Sequence, residues 1–295
     1  MQELKGKTAV ISGGAEGIGL GVAQALGRHG MNVVLADINQ EQLQQAEKIL
    51  LDQDIQVLAV ALDAADPVQW QQLAQRTVER FGKVHLLLNN AGVAGGSGPL
   101  EECEPKDWHW VVDVNLLGVV YGAQALIPLI KQHGEGGWII NVASMAGLLG
   151  LPLSGPYTAT KAAVVGLSEA WRAELDPHGI QVSVLCPGFV KTRINLSQRN
   201  KQSHYQAAED SQPPAEQSSE MAKYMQSVID AGLAPEVVGE RVVEAIAAKE
   251  LYIFTHPNFR PAVQKRFAEI DAAFQRSESS PLLASVLNQK IPDFG

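Results

Sequence analysis

The residues best suited to chemistry are a tyrosine and a lysine four positions apart in the run Tyr-Thr-Ala-Thr-Lys. This spacing places Tyr157 and Lys161 on one face of a helix. A phenol with an ordinary pKa of about 10 is a poor base near neutral pH, but a nearby ammonium group favours the ionised form and lowers that pKa. The pair therefore predicts a tyrosine that exchanges protons with a bound molecule.

A serine hydroxyl is expected beside this pair. Ser144 follows the predicted strand at residues 138–142, and the carboxyl ends of parallel strands are where ligands bind in doubly wound sheets. Its hydroxyl can donate a hydrogen bond to a substrate oxygen. The flanking residues lack the G-x-S-x-G turn of a hydrolase nucleophile, so the sequence predicts a polarising group.

A glycine-rich turn follows the first predicted strand and runs into a helical pattern. Its sequence is Ser-Gly-Gly-Ala-Glu-Gly-Ile-Gly at residues 12–19. Glycine allows the backbone to approach a pyrophosphate closely, and the first N–H groups of the helix stabilise its charge. The order strand, turn, helix predicts a dinucleotide site in which the phosphates are bound at Gly13, Gly17, Ile18 and Gly19.

An acidic residue at the end of the second predicted strand indicates whether the dinucleotide is NAD or NADP. Asp37 can accept hydrogen bonds from both adenosine ribose hydroxyls. It would repel a 2′-phosphate by about 4 kcal/mol at a separation of about 4 Å. Glu16 stands in the glycine turn where a basic residue would favour NADP, so the pattern predicts NAD. In an alternative interpretation Asp37 caps the helix that starts near Asn39.

The elements that must position these groups alternate between short apolar runs and longer helical segments. This pattern predicts βαβ units and a parallel sheet with helices on both faces. We expect an α/β fold of the Rossmann type, a doubly wound sheet in three layers. Strands are predicted at residues 8–12, 32–37, 55–62, 85–89, 138–142 and 181–186. Helices are predicted to begin near Gly17, Gln40, Pro67, Pro105 and Pro156, and Asp66 is the predicted N-cap before Pro67.

The domain prediction is a single enlarged domain. Residues 1–194 form the cofactor-binding and catalytic core, 195–235 a substrate-binding insertion or lid, and 236–295 a C-terminal helix, strand and extension. Residues 196–223 are rich in Gln, Ser and Glu. A helix after Pro235 and a strand at 251–254 follow, and a last helix is predicted to present a packing or dimer surface formed by Val263, Phe267, Ile270 and Phe274.

Composition narrows the partners. The formal net charge of the 295 residues is −9, which argues against nucleic acid and anionic membranes, because both require clustered basic residues. No apolar signal segment and no apolar run of roughly 18 residues is visible, so we expect a cytoplasmic protein. Neither Cys103 nor Cys186 suggests a disulfide, and the seven histidines show no metal-ligand spacing. No catalytic metal is expected.

The ordered set of motifs resembles the short-chain dehydrogenase/reductase family over about residues 5–193. Ser12 replaces the threonine usual at that position, but the hydroxyl is retained. The matching motifs are the glycine turn at 12–19, Asp63 after the third strand, Asn89-Asn90-Ala91-Gly92 after the fourth, Asn115, Ser144, Tyr157 with Lys161, and Pro187-Gly188 with Thr192.

The resemblance implies a role for each residue. Tyr157 would be the general acid/base, Lys161 would lower its pKa and hold the nicotinamide ribose, and Ser144 would orient the substrate oxygen. Asn115 would hold a water that links Lys161 to solvent, or in the alternative would cap a bent helix. Asp63 and Asn90 would line the adenosine side, Val190 and Thr192 would contact the nicotinamide amide, and Ala64, Pro187 and Gly188 complete the implied cofactor contacts.

The function expected on these grounds is an NAD-dependent oxidoreductase that interconverts a secondary alcohol and a ketone. The segments implied around the substrate, residues 94–99, 145–153 and Phe189, are largely apolar, which favours a hydrophobic, cyclic or aryl substrate. An NADPH-dependent carbonyl reductase is the alternative enzyme. A non-catalytic dinucleotide-binding protein is a further alternative, although it would need no proton shuttle. The resemblance also implies a homodimer or homotetramer.

Overall fold

A parallel β-sheet of seven strands forms the centre of the fold. The computed structural model describes residues 4–206 and 220–291, and the chain divides into two compact units, residues 1–255 and 256–295. The strands are β1 Thr8–Ser12, β2 Asn32–Asp37, β3 Val57–Ala61, β4 Leu86–Asn89, β5 Gly137–Val142, β6 Ile180–Cys186 and β7 Tyr252–Phe254. The helices of the first unit are α1 Gly17–Arg28, α2 Gln40–Leu51, α3 Pro67–Phe81, α4 Pro105–Val112, α5 Gly118–His133, α6 Gly155–Leu175, α7 Glu220–Asp230 and α8 Pro235–Ala248.

The strand order creates a crevice at the carboxyl edge of the sheet. The order is β3-β2-β1-β4-β5-β6-β7 and every pair is parallel. Strand order reverses between β1 and β4, and ligands of open α/β sheets bind outside the carboxyl ends at such a switch point. The predicted fold class, a doubly wound Rossmann-type sheet, is confirmed.

Two apolar layers cover the sheet, one on each face. Ala9 and Ile11 of β1 pack with α1, α2 and α8, whereas Val10 packs on the other face with α3 and α5. Because successive strand residues point to opposite faces, a strand buried on both faces is apolar without interruption. This is why the short Val-, Ile- and Leu-rich runs could be recognised as strands.

Helix α3 begins after its predicted N-cap, Asp66. The Asp66 side chain accepts hydrogen bonds from the backbone N–H groups of Val68 and Gln69, and Pro67 occupies the first turn of α3, as predicted. The predicted strand at 55–62 is shorter, because Ile55 N–H instead bonds to Leu50 O at the end of α2. The helix predicted near Pro156 begins one residue earlier.

The helix predicted to run from Pro105 is interrupted. A π-helical turn, Asp113–Leu117, separates α4 from α5 and contains Asn115. The combined stretch Pro105–His133 is long and apolar enough to cross a membrane by length and composition, but 56% of its most apolar window is buried inside the fold. A core helix of a folded domain has these properties.

The second unit contains one long helix, α9 Arg260–Glu278, where the last helix was predicted. The stripe expected to pack is exposed, with Phe267, Ile270 and Phe274 at 54%, 40% and 67%. The structure divides the chain after Thr255, so the boundaries predicted at 194 and 235 stay predictions. Part of the predicted insertion, residues 207–219, lies outside the described residues.

Candidate active site

The glycine turn is shaped by close backbone contacts that exclude side chains. Gly13 and Gly17 have φ of +61° and +54°, a region that favours glycine. A Cβ on Gly19 would lie 2.2 Å from Gly13 O, and one on Gly13 would lie 2.9 Å from Ala91 Cα. The N-cap Glu16 gives α1 no side-chain cap, so the backbone N–H groups of the first turn suit a phosphate. The residues present fit a dinucleotide.

Ser12 and Asn90 hold this turn against the end of β4. Ser12 Oγ accepts hydrogen bonds from Asn90 N (3.0 Å) and Ala91 N (3.1 Å). The Asn90 side chain donates to Ser12 O at 3.0 Å and to Gly13 O at 2.8 Å. Asn90 was predicted to line the adenosine side, and the structure shows that its amide braces the glycine turn. The hydroxyl retained at Ser12 therefore joins the glycine turn to the segment after β4.

Asp37 lies at the end of β2 and connects the glycine turn to α2. Its carboxylate accepts hydrogen bonds from Ala15 N (3.1 Å) and Asn39 N (3.0 Å). Burial raises the pKa of Asp37, and these two bonds oppose the rise. The cap of α2 is Asn39, whose side chain accepts from Gln42 N, so the alternative that Asp37 itself is the cap is wrong.

Two arginines from beyond β6 approach the glycine turn, a feature that sequence spacing did not reveal. Arg193 and Arg199 both form ion pairs with Glu16. Arg193 also donates to Gln42 Oε1 at 2.8 Å, and the charge of Arg199 lowers the pKa of Asp37. The absence of a basic residue within the glycine turn therefore does not mean the absence of basic charge around it.

Asp63 and Ala64 follow β3 at the same edge of the sheet. Asp63 accepts hydrogen bonds from Ala65 N (2.9 Å) and from the amide of Gln202 (2.7 Å). Ala64 O accepts from the indole of Trp70 at 3.0 Å. Both residues lie at the carboxyl end of β3, their place beside the adenosine stays a prediction, and Gln202 is an unpredicted contact of Asp63.

Ser144 and Tyr157 form the reactive pair. Ser144 caps a short 3₁₀ turn after β5, with its hydroxyl accepting from Ala146 N at 3.1 Å. Tyr157 lies in the first turn of α6, and the Ser144 side chain is placed to donate a hydrogen bond that stabilises the phenolate. Burial raises the pKa of Tyr157, and the bond to Ser144 opposes the rise. The expected net lowering is therefore wrong for this arrangement: desolvation of the phenol exceeds the effects that stabilise its anion.

Lys161 is buried one helical turn after Tyr157. It is only 3% exposed, its ammonium donates to Val142 O at 2.9 Å, and it lies 5.6 Å from the centre of the Tyr157 ring. Burial lowers the pKa of Lys161 to about 8, while the nearby Cys186 favours its charged form. Cys186, a residue the prediction treated only as a packed thiol, has its own pKa raised to about 12 by burial.

Asn115 connects the π-helical turn to the segment after β4. Its Oδ1 accepts from Val93 N at 2.8 Å and its amide donates to Val93 O at 2.9 Å, with a longer bond of 3.4 Å to Thr160 Oγ1. A Cβ on Gly92 would lie 3.4 Å from both Asn115 Oδ1 and Lys161 Nζ. The two side chains thus border the same small space above Gly92.

The predicted nicotinamide-side residues follow β6. Pro187 O accepts from Met145 N at 2.9 Å, and Val190 is 5% exposed and pairs with Leu233. A Cβ on Gly17 would lie 3.0 Å from Thr192 Cγ2, so Thr192 adjoins the glycine turn. Gly188 lies between Pro187 and these residues. All of the predicted site residues therefore lie at the carboxyl edge of the sheet.

Behind the site is a buried polar network that sequence reasoning did not identify. Asn89 donates to Asn141 Oδ1 at 2.8 Å, and Asn141 donates to Ser168 Oγ at 3.0 Å. These bonds join β4, β5 and α6, the three elements that carry the glycine-turn brace, Ser144 and Tyr157. Buried Asn residues within two neighbouring strands were the available signal, because buried amides require partners.

The opposite edge of the sheet brings together His85, His133 and Glu135, although the histidine spacing suggested no such cluster. Their ligand atoms lie within 4.8 Å of one another. His85 Nδ1 accepts from Thr8 N and its Nε2 faces Glu135, while His133 bonds Val84 O and Glu135 N. Every ring nitrogen thus has a protein partner. The absence of a catalytic metal stays a prediction.

Comparison with known proteins identifies the family. The model of the short chain dehydrogenase family matches residues 7–203. The chain belongs to the short-chain dehydrogenase/reductase family, whose members are oxidoreductases that use NAD or NADP. The sequence-based resemblance is thereby confirmed.

Three relatives extend over much of the chain. A C alpha-dehydrogenase from Sphingobium sp. is 31% identical, over 95% of this chain and 90% of its own length. A 3-alpha-(or 20-beta)-hydroxysteroid dehydrogenase from Mycobacterium bovis is 40% identical over 64% of this chain and 71% of its own. The crystal structure of a short chain dehydrogenase/reductase from Burkholderia phymatum in complex with NAD has a TM-score of 0.87 and 37% identity, covering 92% of this chain and 97% of that one.

Proposed function

We propose that this protein is an NAD-dependent oxidoreductase that interconverts a secondary alcohol and a ketone. The observation that carries the proposal is the half-buried Tyr157 phenol with Ser144 beside it and Lys161 one turn away, at the carboxyl edge where the glycine turn also lies. A protein that only bound a dinucleotide would not require a proton-exchanging phenol beside its binding site. The non-catalytic alternative is therefore less well supported.

In the proposed reaction the nicotinamide, when bound, supplies or accepts the hydride. The chain supplies the proton and the orientation. In reduction the Tyr157 hydroxyl donates its proton to the carbonyl oxygen, and in oxidation its anion accepts the alcohol proton. Ser144 donates a hydrogen bond to the same oxygen. A phenol of ordinary pKa is already protonated near neutral pH, and burial raises the pKa of Tyr157 further, so the phenol is ready to act as the acid of the reductive direction.

The cofactor preference rests on Asp37. Both of its oxygens accept backbone N–H groups, which fixes the carboxylate at the end of β2, where it would repel a 2′-phosphate. A structural neighbour in complex with NAD supports this choice. The second candidate, an NADPH-dependent carbonyl reductase, is favoured by Arg193 and Arg199, whose guanidinium groups are paired with Glu16.

The proposed substrate is a hydrophobic, cyclic or aryl alcohol. Leu151, Leu153 and Phe189 are 48%, 58% and 39% exposed, so the segments that the resemblance implies around the substrate present apolar side chains. The relative named for its action on hydroxysteroids supports a bulky ring system. We further propose a cytoplasmic homo-oligomer, and free Cys103 and Cys186 are compatible with a reducing compartment.

Absorbance of the reduced nicotinamide tests the proposal directly. The protein is incubated with NAD or NADP and a panel of aliphatic, cyclic and aryl secondary alcohols. Tyr157→Phe is expected to lower kcat about 10²- to 10⁴-fold while NAD binding, followed by calorimetry, is retained. Tyr252→Phe, at an exposed tyrosine of β7 (37%), is the matched control. Near-normal turnover in Tyr157→Phe would contradict the mechanism, and faster turnover with NADP would favour the second candidate.

A further inference from the structure

Residues 193–206, which we call the strap, cross the carboxyl edge of the sheet and contact several parts of the site. At one end Arg193 and Arg199 pair with Glu16 of the glycine turn. In the middle Ser197 Oγ accepts a hydrogen bond from Ala94 N at 3.1 Å. At the other end Tyr205 donates to Asp113 at 2.7 Å.

Between these anchors the strap reaches Asp63. The side-chain amide of Gln202 donates to Asp63 Oδ2 at 2.7 Å. Its carbonyl oxygen, Oε1, is buried and has no hydrogen-bond partner. The amide is therefore held by one charge-assisted bond while a buried acceptor remains unpaired, and leaving such an acceptor unpaired opposes the contact.

The atoms that Gln202 presents resemble the edge of adenine. A primary amide has an N–H₂ donor on an sp² carbon beside an acceptor oxygen, and adenine has an exocyclic N–H₂ beside a ring-nitrogen acceptor. We propose that Gln202 is an internal competitor that occupies Asp63 in place of the adenosine half of the dinucleotide. This inference rests on the proposed function and on the place at the adenosine side that the family resemblance implies for Asp63.

Displacement of Gln202 does not require the strap to detach. Tyr205 is 8% exposed and packs with Val93, Trp110, Val111 and Val114, and Lys201 pairs with Asp107. These anchors do not involve Asp63. Rotation of the Gln202 side chain alone can free the carboxylate, so adenosine binding and strap anchoring remain compatible.

Competition of this kind lowers the apparent affinity by the fraction of molecules in which Asp63 is free. If Asp63 is free in about a tenth to a third of molecules, Gln202→Ala binds ADP-ribose about three- to tenfold more tightly than the natural chain. Nicotinamide mononucleotide, which has no adenosine, binds equally to both. Titration calorimetry of the full chain with the two fragments measures this directly.

Gln198→Ala is the matched control, because Gln198 is an exposed glutamine of the same strap whose side chain forms no hydrogen bond with the described residues. It is expected to match the natural chain with both fragments. Gln202→Asn, one methylene shorter, is the second variant and is expected to show the same gain. Thermal unfolding establishes that each variant is folded.

Equal or weaker binding of ADP-ribose by folded Gln202→Ala or Gln202→Asn overturns the inference, as does an equal gain in Gln198→Ala. Turnover of an alcohol without the gain would leave the oxidoreductase proposal intact and remove only the competitor. Tighter binding of ADP-ribose without turnover of any alcohol or ketone would support the competitor and contradict the oxidoreductase proposal. The two proposals therefore fail in distinguishable ways.

Discussion

Tyr157 combines a buried hydroxyl with a partner that partly compensates for the burial. Desolvation raises its pKa above the ordinary value of 10.0, and the bond to Ser144 acts in the opposite direction. Below this pKa the anionic fraction grows about tenfold per pH unit. The direction in which Tyr157 accepts a proton therefore gains from alkaline pH, whereas the direction in which it donates does not.

The first prediction concerns this pH dependence. Alcohol oxidation by the natural chain is expected to rise from pH 7 into the alkaline range, and ketone reduction to stay nearly level over the neutral range. Ser144→Ala removes the bond that lowers the pKa of Tyr157. We therefore expect the pH profile of oxidation to shift to higher pH and kcat to fall. Profiles of kcat in both directions measure the shift. Ser154→Ala, whose side chain makes no cap bond, serves as control, and an unshifted profile in Ser144→Ala would contradict the assignment.

Gly92 gives a prediction about the space shared by Asn115 and Lys161. Gly92→Ala places a methyl group 3.4 Å from Asn115 Oδ1 and Lys161 Nζ, a distance that the fold tolerates but that leaves no room for a water between them. If a water relays protons from Lys161 there, kcat falls about tenfold or more with little change in melting temperature. Gly166→Ala in α6, where a Cβ meets nothing within 4 Å, is the control. Unchanged kcat in Gly92→Ala would argue against a relay at this point.

The π-helical turn carries a buried side chain, Asn115, that holds the segment after β4. Asn115 satisfies both backbone polar groups of the buried residue Val93, while the extra residue of the turn directs its amide away from the regular helix. π-turns inside α-helices occur frequently at functional sites. Asn115 therefore fixes the backbone at Val93, next to Gly92, whether or not it also binds a water.

This arrangement predicts a stability effect. Asn115→Leu keeps the approximate side-chain volume but leaves the N–H and C=O of Val93 unpaired, at about 1–3 kcal/mol for each group. Urea unfolding is expected to show a loss of about 2–6 kcal/mol in the free energy of unfolding. Asn32→Ala, which removes one exposed bond of 3.4 Å, should change it by less than about 0.5 kcal/mol. A loss in Asn115→Leu no larger than in the control would show that Val93 finds other partners.

The sequence allowed most elements and the positions of the site residues to be predicted, because local signals determine them. Asp66 with Pro67 marks a helix start, and an uninterrupted apolar run marks a strand buried on both faces. The π-turn was missed, since the pattern around Asn115 is that of an ordinary helix. Contacts between distant segments were missed for a different reason: nothing in the spacing of Glu16 and Arg199, or of Asp63 and Gln202, indicates that the fold brings them together.

The pKa of Tyr157 shows the same limit quantitatively. The spacing of Tyr157 and Lys161 correctly places an ammonium near the phenol, but the sign of the net shift depends on how much protein surrounds the hydroxyl. Burial depends on the whole packed structure around α6. Sequence spacing identifies the members of a constellation, and packing decides the direction of their pKa values.

At the scale of the whole molecule, the two edges of the sheet differ in the side chains they carry. The carboxyl edge carries the candidate site, and the opposite edge is held by the buried His85. Its Nδ1 accepts from Thr8 N at 3.1 Å and its Nε2 lies 3.2 Å from Glu135, which joins the starts of β1 and β4 to the turn before β5. Lys83 and His85 hold the pKa of Glu135 down to about 2, so this carboxylate stays ionised between pH 5 and pH 8.

The last prediction follows from protonation of His85. Burial, with contributions from His133 and Lys7, lowers its pKa below 6.5, although Glu135 opposes the shift. The folded chain therefore binds fewer protons here than the unfolded chain, and the stabilisation present above pH 6.5 is lost as pH falls through the folded-state pKa. A protonated Nδ1 also cannot accept the Thr8 N–H.

His85→Asn keeps an acceptor near the position of Nδ1 but does not titrate. The slope of the free energy of unfolding against pH on the acid side should therefore fall in this variant, by up to about 1.4 kcal/mol per pH unit. Urea unfolding at pH 5 to 8 measures the slope, with His178→Asn at an exposed histidine as control. An unchanged slope in His85→Asn would place the acid sensitivity elsewhere, whereas a flattened slope would show that protonation of His85, at the edge of the sheet opposite the candidate site, destabilises the fold.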